Sequence, residues 1–562
     1  MSVTEEFFFI HSKNLENVNS RLYGFCIDTA GRDMDGILND ADAHTKTYNG
    51  CFVLVQDKEK YIYISQDFIG CYGLYLFRKD DYFAISNSFH YLLDHIRQTF
   101  PLTVNMDYMK CFILYRLSPS CSETMINEVE MLPRNVSVII DKESKTLSIY
   151  KKIMEDEIVE LDSDKGMEAL DNWYYSWTNF IRNLCAKTDK VTVDLSGGMD
   201  SRLTFLLFLC SGVDLNKIRV NSTDDGLAVH AEDFEIAQAV AKRYKFELNK
   251  TFPIEYIAFS LRDTIELSFY TKLGFHKEMY FKRSYCGDTV YAFSGGGGEA
   301  IRGYHTYSKK KFFEDCLSMQ SALGLDIDFM DGVKNVVDHG EDLVNDIRGC
   351  VNEREFGRHF YKQGTMRNHF GKSMVEQYLA NRMRIAPLMD MNLHKIRLSA
   401  EDADLLMALI YIRYCPELLD FKFDRGHSID EKSVKAAERI NKKYPFMESL
   451  EKQKYFSDID IYFEYKPFAE PAVKDGTNQP DEWCRKVFHS EYIKQNICRL
   501  VSGGFYEHAG KFAKTHSYQS LRAICVAIAI AKVDYDVVSG QNIGNTSIYD
   551  FLEKMAEGNY YE

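Results

Sequence analysis

No CxxC pair occurs among the 14 cysteines of this 562-residue chain. The spacings that build zinc ribbons and thioredoxin-like redox sites are therefore absent. The opening stretch, MSVTEEFFFIHSKN, has no basic segment followed by an apolar core of secretory length. The longest apolar runs, 203–210 and 524–531, fall far short of the ~20 residues that cross a bilayer. Positive charge is scarce, since 68 Lys and Arg face 83 Asp and Glu and leave a net −15. A general nucleic-acid binder needs clustered cations for phosphates, so that class is disfavoured. There is no internal repeat, no low-complexity tract, no Walker A spacing and no GxGxxG. What is left is an ordinary globular mixture, 45% hydrophobic and 27% charged. The expectation is a reduced, cytoplasmic protein of roughly two to four domains, with free thiols and neither membrane nor nucleic acid as partner.

Three pairs of β-branched and aromatic runs stand in the first part of the chain: 51–55 with 61–65, 74–77 with 82–86, and 136–140 with 147–150. Each pair flanks a polar turn and predicts an antiparallel hairpin. Helical periodicity there is confined to 89–96. The acidic stretch 155–165 reads as a linker, and 167–186 as a helix. Strands and helices then alternate: strand 191–195, helix 201–209, strand 218–221, helix 233–244 and strand 289–293. That alternation implies a parallel sheet covered by helices. From 304 onward the chain reads as mostly helical.

The sharpest local pattern is Val193-Asp194-Leu195-Ser196-Gly197-Gly198-Met199-Asp200-Ser201. A buried strand runs into Ser-Gly-Gly, and a helix begins. Two glycines let the backbone approach a ligand closely. The helix start adds free N–H groups and a positive dipole end, which together suit a pyrophosphate. Asp200 beside that anion makes sense as a Mg²⁺ ligand. The same residues also fit an ordinary tight turn between strand and helix. Downstream, Ser294-Gly295-Gly296-Gly297-Gly298-Glu299 follows a strand, where open parallel sheets bind ligands, and it equally fits a flexible loop.

SGGMDS resembles the PP-loop of the ATP pyrophosphatase superfamily, and its flanks resemble the asparagine synthetase-like branch. Residues 293–304 resemble the segment SGxGxDE…GGY. Residues 48–52, 66–75 and 84–88 resemble the amidotransferase sheet of those enzymes. Met131-Leu132-Pro133 resembles their LPPG turn, and Ala386-Pro387-Leu388-Met389-Asp390 their VPFLD. The resemblance covers about 40–425 and implies an α/β PP-loop synthetase domain, 160–562, preceded by an α+β Ntn-hydrolase-like domain, 1–155. It implies ATP and Mg²⁺ as cofactors. Leu195, Ser196, Gly197, Gly198, Asp200 and Ser201 would hold the pyrophosphate end. Val220 and Asn221 would flank adenine, Ser294 and Gly295 would touch the AMP part, and Asp200 and Glu299 would hold the metal. Lys422, in a run resembling LPxxI…RxK, is the catalytic candidate, with Lys432 and Lys435 next in line. Arg202 is a candidate phosphate contact or a surface arginine, and Asp233 an N-cap or a ligand.

Several positions depart from the family's pattern. Ser2 stands where the nucleophilic cysteine belongs, Cys26 lies too far in, and Gln66 replaces the arginine of RDxxG. Glu299 stands for the second metal aspartate, with one residue fewer before Gly303-Tyr304, and Gly296 supplies no side chain for β-lactam formation. The resemblance thus implies an AMP-forming carbon–nitrogen ligase whose N-terminal domain has no glutaminase activity. It would join a small-molecule or peptide carboxylate to ammonia or an amine, with nitrogen or substrate delivered by a partner protein in one version. The rivals are a lasso-peptide-type macrocyclase and a non-catalytic protein that keeps the fold.

Overall fold

All three hairpins form, pairing Asn49–Asp57 with Tyr61–Gln66, Tyr75–Lys79 with Tyr82–Ser86, and Val136–Asp141 with Thr146–Lys151. The computed structural model describes residues 3–28, 33–46, 48–115, 121–134, 136–152, 158–252, 255–258, 260–272, 282–285, 289–302, 308–322, 330–348, 356–398, 404–464, 480–500 and 548–557, with 506, 507, 528, 529, 533 and 537. The second hairpin joins Phe9–His11 and Val129–Met131 in a four-stranded antiparallel sheet. The other two join Arg21–Asp28 and Asp460–Phe463 in a six-stranded one. Side chains alternate across this sheet. Val53, Val55, Ile62 and Ile64 enter one core with Leu76 and Ile85 of the other sheet. Phe52 and Leu54 face the opposite way, with Leu22, Cys26, Ile37 and Tyr462. Burial on both faces is why the strand reads as a continuous apolar run.

Several elements differ from expectation. The buried strand Arg21–Asp28 carries Gly24 at φ +88°, where a Cβ would sit 2.0 Å from the Cys51 carbonyl oxygen. A glycine in mid-strand hides the strand pattern, yet no other residue fits there. Met34–Asn39 and Met106–Tyr115 are further helices in a segment expected to hold one. Part of the expected linker is ordered. Val159–Glu160 pairs in parallel with Ile396–Arg397, and Ser163 caps the helix Asp164–Lys187 by accepting from the Gly166 N–H at 3.0 Å. Finally, Asp460–Phe463 is a strand inside a region read as helical, and it completes the sheet begun by Arg21–Asp28.

The alternating segment builds a four-stranded, wholly parallel sheet in the order Arg219–Asn221, Val191–Asp194, Val290–Phe293, Arg382–Ile385. The fourth strand was not predicted, because four residues alternating Arg with apolar side chains are too short a signal. From Val191–Asp194 the chain crosses to Arg219–Asn221 on one side, while Val290–Phe293 lies on the other. The carboxyl end of Val191–Asp194 is thus a topological switch point, where open parallel sheets seat ligands. Asp390 ties this sheet to the antiparallel region, since its Oδ2 accepts from Asn49 Nδ2 at 2.6 Å and Trp177 Nε1 at 2.8 Å. Among the described residues no helix is long and apolar enough to cross a membrane.

Candidate active site

The first glycine loop is wired to its neighbours by short bonds. The Leu195 N–H donates to the Asn221 carbonyl at 2.8 Å, which anchors the strand end. The Ser196 N–H donates to Ser201 Oγ at 3.1 Å, and the two hydroxyl oxygens lie 2.8 Å apart. The Gly198 N–H turns onto Ser196 Oγ at 3.1 Å. Gly198 starts the helix Met199–Ser211 without a side-chain cap, leaving the first helical N–H groups facing the switch point. Gly197 must be glycine, because a Cβ would lie 2.7 Å from Ile236 Cδ1 and 2.8 Å from Asp424 Cβ.

The second glycine loop lies directly against the first. A Cβ on Gly295 would approach the Asp200 carbonyl carbon and the Ser201 nitrogen at 2.5 Å. One on Gly298 would approach Asp200 Cγ at 2.2 Å. Glu299 follows in the short helix Gly298–Ile301. Asp200 Oδ2 pairs with Arg302 Nη2 at 3.0 Å, while Asp200 Oδ1 and Glu299 Oε2 are buried and accept no hydrogen bond among the described residues. Burial pushes the Asp200 carboxyl up to about 7; Arg302 opposes the shift, and the Glu299 and Asp424 charges add to it. Burial also raises Glu299, against Arg302 and Arg384. Two desolvated carboxylates with unused oxygens fit a divalent cation. Mg²⁺ takes one or two carboxylates and completes its shell from phosphates and water. No larger cluster of metal-ligating side chains exists among the described residues.

The remaining candidates take varied places. Ser294 Oγ accepts from Arg384 Nε at 3.1 Å, beside the second loop. Val220 is buried, with its carbonyl bound by the Asn249 N–H at 2.9 Å. Asn221 Nδ2 donates to Asp194 Oδ1 at 3.3 Å, and Asn221 Oδ1 accepts from Arg219 Nε at 2.8 Å. Gln66 and the 131–133 turn do meet, with Gln66 Nε2 donating to the Pro133 carbonyl at 2.8 Å. Cys26 is buried in the six-stranded sheet. Ser2, Gly303 and Tyr304 lie outside the described residues.

Two expectations need correction. Arg202 is neither a surface arginine nor a phosphate contact. It is fully buried, stacks on Phe423, and donates to the carbonyls of Gly197, Leu418, Phe421 and Lys422. It fastens the 418–423 segment to the loop. Asp233 is not an N-cap, because the helix starts five residues earlier, Ala228–Tyr244. Its Oδ1 accepts from the Gly197 N–H at 2.8 Å instead. Lys422 therefore has its main chain at the site. Its ammonium points away, 3.9 Å from Glu232 and 3.8 Å from Glu235, and its side chain is 58% exposed. Lys432 and Lys435 line a separate cleft.

Sequence reasoning missed Arg302, Arg384 and Asp424 as parts of this site. Arg302 follows Glu299 by one helical turn, a spacing that marks a shared face. Arg384 belongs to the unpredicted fourth strand. No spacing signals Asp424; only the Arg202 anchor brings it to Gly197, whose carbonyl accepts from the Asp424 N–H at 3.1 Å. No family model matches the chain, and no curated protein is significantly similar to it.

Proposed function

We propose that this chain is an ATP-dependent, AMP-forming amide ligase of the asparagine synthetase-like kind. Its C-terminal part would be a PP-loop synthetase domain, and its N-terminal sheets an Ntn-like domain without glutaminase activity. The observation that carries this reading is the pair of orphaned, buried oxygens, Asp200 Oδ1 and Glu299 Oε2, on two glycine loops meeting at a switch point. Asp200 and Glu299 would hold Mg²⁺, which would supply charge neutralisation for phosphate oxygens there. The uncapped start of Met199–Ser211, with Ser196, Gly197, Gly198 and Ser201, holds the pyrophosphate end. Leu195, Val220 and Asn221 form the sheet edge on one side of the nucleotide, and Ser294 and Gly295 the other. A substrate carboxylate oxygen attacks the α-phosphorus, pyrophosphate leaves, and ammonia or an amine then displaces AMP from the activated acyl group. Arg302, paired with Asp200, and Arg384, whose charge acts on Glu299, offset the charge that gathers on the leaving pyrophosphate. Lys422 joins them by turning its head inward. Its present contacts are long and solvated, worth ~0–1 kcal/mol, and do not hold it.

A second reading draws on the Gly197 N–H being taken by Asp233 and on the outward Lys422 head. It is a nucleotide-binding protein without turnover. Thermal unfolding with Mg-ATP, wild type against Asp200→Asn, tests both. Ligand at 100 times its Kd adds about 2.7 kcal/mol of stability. A Mg²⁺-dependent shift lost in the variant is expected, followed by AMP and pyrophosphate release in a carboxylate screen. No shift at millimolar ATP overturns both readings. A shift with no AMP from any carboxylate favours the second.

A further inference from the structure

A cleft of about 590 Å³ lies between the helix Glu431–Lys443 and the parallel strand pair Val159–Glu160 and Ile396–Arg397. It shares no lining residue with the glycine loops. Four cations line it, Arg397, Lys432, Lys435 and Arg439, against two carboxylates, Glu160 and Asp162. Three of the cations form a stripe along the helix at one-turn and two-turn spacing, so they present one face. The two carboxylates are matched: Glu160 meets Arg397 at 3.3 Å, and Asp162 meets Lys443 at 2.9 Å. Lys435 meets Glu431 at 2.5 Å, but both side chains are mostly exposed and the pair is weak. On a chain of net charge −15 the lining is cationic, four cations to two carboxylates, with Asp430 and Glu431 at the helix start drawing on Lys432 and Lys435.

Beneath the cations the cleft is apolar, with Leu161, Leu398, Leu405 and Ile440 among its lining residues. Its volume falls within the range of roughly 300–1,000 Å³ that small-molecule sites occupy. A bare inorganic anion would leave the apolar wall wet, and a neutral lipid would gain no attraction from the cations. We propose that this cleft binds a small amphipathic anion, a carboxylate or phosphate ester with an apolar body. The anionic head meets the Lys432–Lys435–Arg439 stripe, and the body lies on the leucines. The proposal is independent of the nucleotide reading, because the two sites use different residues.

Calorimetric titration of the full chain tests it, with octanoate as probe and octan-1-ol and inorganic phosphate as comparators. Octanoate is expected to bind at least about tenfold more tightly than either comparator, and to weaken as salt screens the head group. The double variant Lys435→Glu with Arg439→Glu is expected to lose at least about tenfold in octanoate affinity; both positions are exposed, so the fold is kept. Arg439→Glu alone is the reserve variant if the pair fails to fold. Asp200→Asn is expected to bind octanoate as wild type does, whatever it does with Mg-ATP, which separates this proposal from the nucleotide reading. No octanoate binding, equal binding of octan-1-ol or inorganic phosphate, or undiminished binding by the charge-reversed variant would overturn it.

Discussion

Two buried aspartates, one in each half of the molecule, are handled in opposite ways. Asp67, under the antiparallel sheets, accepts from the Phe52, Ile69, Gly70 and Cys71 backbone N–H groups at 2.8–3.1 Å. Asp200, at the end of a parallel strand, has one oxygen on Arg302 and one without a hydrogen bond among the described residues. Burial raises both carboxyls above the usual carboxylate range. The difference is what the surroundings return. Asp67 is a knot that closes a loop. Asp200 is a carboxylate whose desolvation is only partly compensated, the kind of group that marks candidate functional sites.

The contrast breaks most visibly at Asp67. Replacing it with alanine leaves several buried N–H donors unpaired and is expected to cost about 3–5 kcal/mol, read from the urea midpoint. Next in size is Gly298→Ala. Its Cβ would meet the Asp200 carboxylate, so an overpacking loss of about 1–3 kcal/mol should accompany loss of the Mg-ATP shift. At least comparable in size, and dependent on pH, is the effect of Asp200→Asn without ligand. The folded carboxyl titrates near 7 instead of 3.8, so the folded state binds its proton more tightly than the unfolded chain does. The wild type is therefore relatively most stable below 3.8 and loses that contribution as pH rises through about 7. Asp200→Asn should gain on wild type across that window in unfolding titrations, and a constant gap would reject the assignment. Smallest of all, Lys422→Ala should shift stability by under ~0.5 kcal/mol while reducing AMP release. A large stability loss would mean that the lysine is structural.

How much of this was legible in the sequence depended on how local each signal is. The hairpins and the strand–loop–helix around Ser196 were readable because polar turns and apolar runs lie side by side in the chain. The strand Arg21–Asp28 was hidden by Gly24, whose meaning rests on the distant Cys51 carbonyl. Arg202 and Asp233 were misjudged for the same reason. Arg202 reaches the Lys422 carbonyl 220 residues away and Asp233 the Gly197 N–H 36 residues away, and neither periodicity nor capping patterns reach across a fold. Helix ends also misled, since Asp233 resembles a cap only if the helix is started five residues late. The charge excess around Lys432, Lys435 and Arg439 was visible as helical spacing, but the apolar wall opposite came from 161 and 398.

The strand Asp460–Phe463 has a consequence for how the chain is made. It pairs with Arg21–Asp28, at the far end of the six-stranded sheet from the Thr146–Lys151 edge. During synthesis at ~5–20 residues per second, that partner emerges roughly 20 to 90 s after the strand it covers. For all that time the growing chain carries an unpaired, largely apolar strand edge, the kind of surface that pairs with the wrong neighbour. The birth of this protein is thus a wait, and its yield in a cell should depend on what shields that edge until Asp460–Phe463 arrives.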